Sequence, residues 1–243
     1  MGLKESGLRG SLRNVSVGID AIPDTLGNRW SASEQEVSDG ESVDPFADSV
    51  GEFDLTAVAS PTLAVDSVNG STAVALDGSN DGYDYGSSIP STVNEPATLL
   101  FSMRINELPD SNHQLWRDTG NSGANEIIIR PGVDAYRLTI DGSDSESGSP
   151  TTGDFVFTVA IDDTEAVLRV NGTDTVTTSS SADVGFLNQT SVASLFYNAS
   201  DNSRYLNTDV VEIALHPDDR LTGADLEDEE KRLEDEANMN VLS

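Results

Sequence analysis

From Phe53 onward the chain alternates apolar and polar residues in short runs, separated by Gly, Asn, Asp, Ser and Pro. A period of two puts successive side chains on opposite faces of a strand, so each run predicts a strand with one buried face. The expected strands are 53–58, 72–76, 97–105, 113–117, 126–130, 135–140, 155–161, 166–170, 173–177, 192–197 and 210–215. Many evenly spaced strands with no helices between them predict an all-β sandwich or barrel.

Two short stretches are more specific. Asn171-Gly172 stands between two alternating runs, and because both central residues of a tight two-residue turn need positive φ, the pair predicts a hairpin. Thr222-Gly223-Ala224-Asp225 reads as a capping box, with Leu221 and Leu226 as a hydrophobic staple and Leu226 and Leu233 on one face. A short helix over 222–237 is therefore expected after the last strand, its remaining acids, Glu227 to Glu230 and Glu234 to Glu236, meeting solvent. Residues 1–45 lack the alternation and show isolated apolar positions at Leu3, Leu8, Leu12, Val15, Val17 and Ile19. They are expected to form an extended N-terminal arm, leaving 46–243 as the sandwich with its helix.

Charge changes the picture. The 243 residues carry 43 Asp plus Glu against 13 Lys plus Arg, a net charge of -30, while 36% of positions are hydrophobic, enough to bury a core. The acids are spread along the chain and read as a solvated surface. Such a surface repels itself at low ionic strength, and molar salt cuts the screening length to about 3 Å, so the composition resembles that of proteins from extreme halophiles. A phosphate backbone would find nothing to neutralise it, which excludes nucleic acid as the expected partner. Lys4, Arg9 and Arg13 face only Glu5 in the first thirteen residues, a basic segment on an acidic protein. These three are the expected docking residues, toward an acidic neighbour such as another subunit, the alternative being a flexible leader.

With no cysteine, disulfides, thiolate catalysis and Cys-based zinc sites are excluded. No apolar run is long enough to span a bilayer, and Met1-Gly2-Leu3-Lys4-Glu5-Ser6 lacks the apolar stretch of a signal peptide; neither membrane insertion nor export by the usual routes is expected. The same start fits a myristoylation pattern, which a host of halophilic type is not expected to use.

Three stretches carry a family resemblance: Val74 to Tyr85 followed by Ala97 to Ile105, Thr164 to Gly172, and Val211 to Leu226. In order and spacing they resemble the laminin-G-like or concanavalin A-like jelly rolls, and Asp44 to Leu55 is similar to that family's opening loop. The resemblance implies a two-sheet antiparallel jelly-roll sandwich and a role in binding carbohydrate or protein more often than in chemistry. An arm followed by such a domain also resembles surface appendages of tailed viruses that infect halophilic archaea. It implies a non-catalytic virion structural protein (turret, fibre or decoration), assembled in the host cytoplasm as a homo-oligomer with other virion subunits and presenting its lectin-like domain to host-surface glycans. The alternative is a freestanding carbohydrate-binding module, with a glycosidase as a distant third.

No catalytic residue is expected. Glycoside hydrolases need two carboxylates about 5–9 Å apart, and no expected strand carries the alternating acidic cluster of hydrolytic relatives. A serine hydrolase would need a Gly-x-Ser-x-Gly elbow, which is absent, and the only histidines, His113 and His216, are expected to be structural or on the surface. Asp77, Ser79 and Asp81 followed by Gly82 form the first half of a calcium loop, but position twelve is Ser88 rather than Glu, and a polar turn explains the pattern more simply. Since some family members hold a structural cation near the chain ends, Asp77, Asp81 and Asp209 are the candidate ligands for calcium or magnesium. Trp116 with Arg117 and Asp118, Tyr136 with Arg137, and Tyr197 with Asn198 have sugar-site chemistry, although each aromatic is more often packing, and no ligand residue is assigned among them. The Asn-x-Ser/Thr sequons at 14, 69, 171, 188 and 198 are given no role.

Overall fold

The computed structural model describes residues 26–51, 53–85, 96–108, 111–118, 125–140, 142–180, 194–199 and 202–242. Its strands are β1 (Asn28–Ser31), β2 (Thr56–Val58), β3 (Thr62–Val68), β4 (Ser71–Asp77), β5 (Gly82–Asp84), β6 (Ala97–Ile105), β7 (His113–Asp118) and β8 (Asn125–Arg130). They continue with β9 (Ala135–Ile140), β10 (Ser143–Ser147), β11 (Gly153–Ile161), β12 (Glu165–Val170), β13 (Thr173–Ser179), β14 (Ser194–Leu195) and β15 (Asn207–Pro217), followed by helix α1 (Gly223–Glu236). All pairings are antiparallel. The back sheet runs β13-β12-β11-β6-β15-β4-β3 with β1 added beside β15, and the front sheet runs β10-β9-β8-β7-β14-β5-β2. The two inner faces enclose one core that includes Trp30, Phe46, Leu55, Phe101, Trp116, Ile127, Leu138, Phe157 and Ile213.

The expected strands are present, and β6 and β9 have the expected bounds. Between β12 and β13, Asn171 and Gly172 take φ of 51° and 74°, the left-handed pair that the hairpin requires. Four strands went unpredicted: β1, β3, β5 and β10. β3 is broken by a register shift between Ala64 and Val68, and Asp66 takes φ 57°, which breaks the alternation. β10 is Ser143-Asp-Ser-Glu-Ser147, with no apolar residue to signal a buried face.

The expected arm boundary at residue 45 is corrected: residues 26–45 belong to the sandwich. β1 pairs with the second half of β15, Asn28 opposite Leu215 and Ser31 opposite Glu212. Trp30 is fully buried, donates from Nε1 to the Phe53 carbonyl at 2.7 Å and meets Tyr85 edge-on at 6.1 Å. Val43 lies in the core and Ser42 bridges to Thr62. The stretch does not alternate because only β1 is a strand; the rest enters the core as turns and single side chains.

Helix α1 covers part of the outer face of the back sheet, packing Leu226 and Leu233 with Leu26, Leu100, Ala214 and Leu221. Thr222 sits at the N-cap with extended backbone, yet its side chain makes no capping hydrogen bond. The expected solvent-facing acids are corrected in part. Glu227 and Asp228 are exposed, but Glu229, Glu230 and Glu234 are buried. Each has partners that compensate desolvation. Glu230 accepts from Arg169 Nε at 2.8 Å and Thr158 Oγ1 at 2.9 Å; Glu234 accepts from Lys231 Nζ at 2.6 Å and the amide of Leu242 at 2.8 Å. Glu229 accepts from Arg232, whose Nη2 also reaches Glu212 at 2.5 Å. The second oxygen of Glu212, itself fully buried, accepts from Arg29 Nη2 at 2.8 Å. The first and last elements among the described residues, β1 and α1, are thus pinned to β15 through one carboxylate.

Candidate functional site

Alternation on the front sheet sorts its residues into two layers. Tyr83, Leu195, Trp116, Ile127 and Leu138 lie in register across β5, β14, β7, β8 and β9 and enter the core. The adjacent register row, Asp84, Ser194, Arg117, Glu126, Thr139 and Asp144, therefore faces outward. A further outward row aligns Gln114, Ile128, Arg137 and Glu146. Between Gln114 and Trp116 the β7–β8 register shifts, so that Leu115 and Trp116, adjacent in sequence, both enter the core. The amide of Gln114 donates to the Trp116 carbonyl at 3.0 Å across that irregularity.

The centre of this face is Glu126, 6% exposed at its side chain, held between two arginines. Arg137 Nη2 donates to Oε1; Arg117 Nη1 and Gln114 Nε2 donate to Oε2 at 3.3 and 3.4 Å. The two arginine side chains are half-buried, at 19% and 23% exposed. Around them four buried polar atoms lack a hydrogen-bond partner: Gln114 Oε1, Arg117 Nε, Arg137 Nε and Thr139 Oγ1. Buried polar atoms are nearly always satisfied, and these four lie together on two adjacent register rows. On the far side of Ser194, Asp84 accepts a short hydrogen bond from Tyr197 OH; burial raises the Asp84 pKa and outweighs that bond. Asp84 and Glu126 are three strands apart, about 14 Å at ordinary strand spacing, beyond the ~5–9.5 Å of glycosidase pairs.

Two of the three aromatics with sugar-site chemistry point into the core, and the third, Tyr197, is buried outside it with its hydroxyl on Asp84. Trp116 and Tyr136 are core residues, Tyr136 meeting Phe157 edge-on at 5.7 Å, and Tyr197 is buried and stacked on Tyr205 at 5.5 Å. Their neighbours Arg117 and Arg137 emerge instead. Both histidines are buried: His113 bonds through Nδ1 to the Tyr205 carbonyl at 2.6 Å, and His216 lies 3.4 Å from Glu229.

Asp77, Asp81 and Asp209 are brought together, lining one surface pocket of about 450 Å³ with Asn106 and Asn207. Their oxygens serve the surrounding chain. Asp77 Oδ1 accepts from the amides of Ser79 at 2.7 Å and Asn80 at 3.3 Å; Asp81 accepts from the amides of Ser60 and Asp77 at 3.1 and 3.2 Å. Asp209, whose pKa burial raises, accepts from Asn106 at 3.1 Å. This is turn chemistry, and among the described residues no group of three or more His, Asp or Glu side chains is arranged to hold a metal ion. Lys4, Arg9, Arg13 and Ser88 lie outside the described residues.

No protein-family profile and no curated protein matches the sequence. Solved structures do match the architecture. The fold is a two-sheet antiparallel jelly-roll sandwich. It is similar to domain 4 of AbnA, a GH43 extracellular arabinanase from Geobacillus stearothermophilus, in complex with arabinotriose, at 14% identity over 87% of this chain and 98% of that one, with a TM-score of 0.61. It is also similar to the Trypanosoma rangeli sialidase in complex with sialic acid, at 15% identity over 87% of this chain, with a TM-score of 0.60, and there it spans 33% of that chain. The W1252A mutant of HCR D/C VPI 5995 is matched at 12% identity over 84% of this chain and 53% of that one, with a TM-score of 0.54. At these identities the likeness establishes the fold.

Proposed function

We propose that this protein is a non-catalytic, lectin-like module that binds glycan on the outer face of its front sheet, around Glu126. The supporting observation is the set of unsatisfied buried donors and acceptors on Gln114, Arg117, Arg137 and Thr139, arranged about a carboxylate braced by two guanidiniums. Sugar hydroxyls both donate and accept, and such a mixed array is suited to them. The fold agrees, since one structurally similar domain is in complex with arabinotriose.

The test is a glycan array in molar KCl with the parent protein and a Gln114→Leu/Thr139→Val double variant, folding being checked by circular dichroism. The proposal expects saturable binding of at least one glycan class, weakened at least about tenfold in the variant, with the bound sugar recovered intact. Absence of binding across the array, or release of new reducing ends, would overturn it. A place on a halophilic virus particle, as a homo-oligomeric appendage attached through its N-terminal segment, extends this reading. It is supported by the basic charge of Lys4, Arg9 and Arg13 on a chain of net charge -30. Light scattering in molar KCl tests it, and a chain that stays monomeric counts against it.

A further inference from the structure

The geometry points to a ligand that carries an acidic group, a sugar carboxylate or sulfate ester, seated against Arg117 and Arg137 beside Glu126. This inference rests on the glycan-binding reading and names the class of glycan.

The argument begins with charge. Two half-buried arginines share one buried carboxylate, so this trio carries a net charge of +1. A partly covered excess charge of this kind is stabilised when an anion joins it. The other charges on this face do not supply that anion. Arg130 is paired with Glu146 on β10, Asp144 is exposed to solvent, and Asp84 is turned to Tyr197.

Donor geometry gives the same answer. A guanidinium offers five N–H groups, and both oxygens of Glu126 are already engaged, Oε1 by Arg137 and Oε2 by Arg117 and Gln114. The Nε atoms of both arginines have no partner but are sealed from solvent, which leaves the Nη groups as the donors for a ligand. Donors are in excess of acceptors, and the group that uses several N–H bonds at once is an oxyanion. The net charge of -30 would repel an anionic ligand at low salt. Molar salt shortens the reach of that field to about 3 Å, leaving the local arginines to decide.

Isothermal titration in molar KCl with three matched oligosaccharides tests the inference: a neutral one, its uronate-containing counterpart and its sulfated counterpart. At least one acidic sugar is expected to bind about tenfold more tightly than the neutral one, the gain of one charge-assisted hydrogen bond. Arg137→Gln should weaken acidic-sugar binding about tenfold more than it weakens neutral-sugar binding and so erase the preference, and Glu126→Gln, which frees both arginines, should strengthen acidic-sugar binding. Which acidic sugar gains identifies the source of the oxyanion. Neutral sugar binding as tightly as both acidic ones, or Arg137→Gln leaving the preference intact, overturns the acidic-ligand inference alone. Silence toward all three overturns it together with the glycan-binding reading.

Discussion

Replacing Trp30 with alanine tests where the folded unit begins. The ring is fully buried, packs edge-on to Tyr85 at 6.1 Å and donates to the Phe53 carbonyl at 2.7 Å. Truncating a buried tryptophan costs about 3–5 kcal/mol, depending on how far the cavity collapses, and the Phe53 carbonyl loses a partner worth about 1 kcal/mol. Taking about 4 kcal/mol against a stability of roughly 5–15 kcal/mol, Trp30→Ala should lower Tm by about 8–16 °C in a domain of this size. Trp30→Phe keeps most of the burial and loses the hydrogen bond, so about 1–2 kcal/mol is expected. Urea unfolding in molar KCl measures both, with Trp116, the other of the two tryptophans, as the fluorescent reporter in each variant. If Trp30→Ala unfolded within about 1 kcal/mol of the parent, residues 26–45 would be an accessory and the revised boundary would be wrong.

The helix should loosen when Glu230→Ala takes the acceptor from Arg169 Nε and Thr158; about 2–4 kcal/mol is expected, and unchanged hydrogen-exchange protection in α1 would refute the docking role of this acid. Burial alone would raise the Glu229 pKa, but the contacts with His216 and Arg232 outweigh it and hold the value at about 2 instead of 4.5. A depressed carboxylate contributes stability above its unfolded pKa, so this part should be complete above pH 4.5 and lost as pH falls through about 2. Unfolding free energies measured against pH should show a shallower acid slope for Glu229→Gln than for the parent, and equal slopes would contradict the assignment. In the β12–β13 hairpin, Gly172→Val forces a branched residue into φ 74° with its Cβ 3.2 Å from Leu242, costing about 1–2 kcal/mol; an unchanged Tm would count against the left-handed turn.

Alternation was a sufficient guide wherever a strand has a dry face, as in Ala97–Ile105 and Ala135–Ile140. It failed at Ser143–Ser147, whose five residues are all polar, and at Asn28–Ser31, where one tryptophan supplies most of the burial. The candidate face was half readable. Trp116-Arg117 and Tyr136-Arg137 drew notice for their aromatics, but period two sends one residue of each pair inward, and the core took the rings. Glu126 could have been found by the same rule, being next to Ile127 in an apolar run. Gln114 could not, because the register shift that sets its direction depends on pairing with β8. Nor could the burial of Glu229 and Glu230 be read from α1, since Arg169, which meets Glu230, lies 61 residues back and His216, which meets Glu229, lies outside the helix on β15.

Glu212 has a consequence for how the molecule can be carried. By joining Arg29 near the start of the described chain to Arg232 near its end, it brings both elements onto the sheet that turns its back on Arg117 and Arg137. A tether, a fusion partner or a neighbouring subunit attached beside β1 or α1 would leave the arginine face unobstructed, so one copy can be anchored and remain open to solution. Mounted side by side with their backs to a common support, such copies would present their faces in one direction, and weak single-site affinities could add through multivalent engagement.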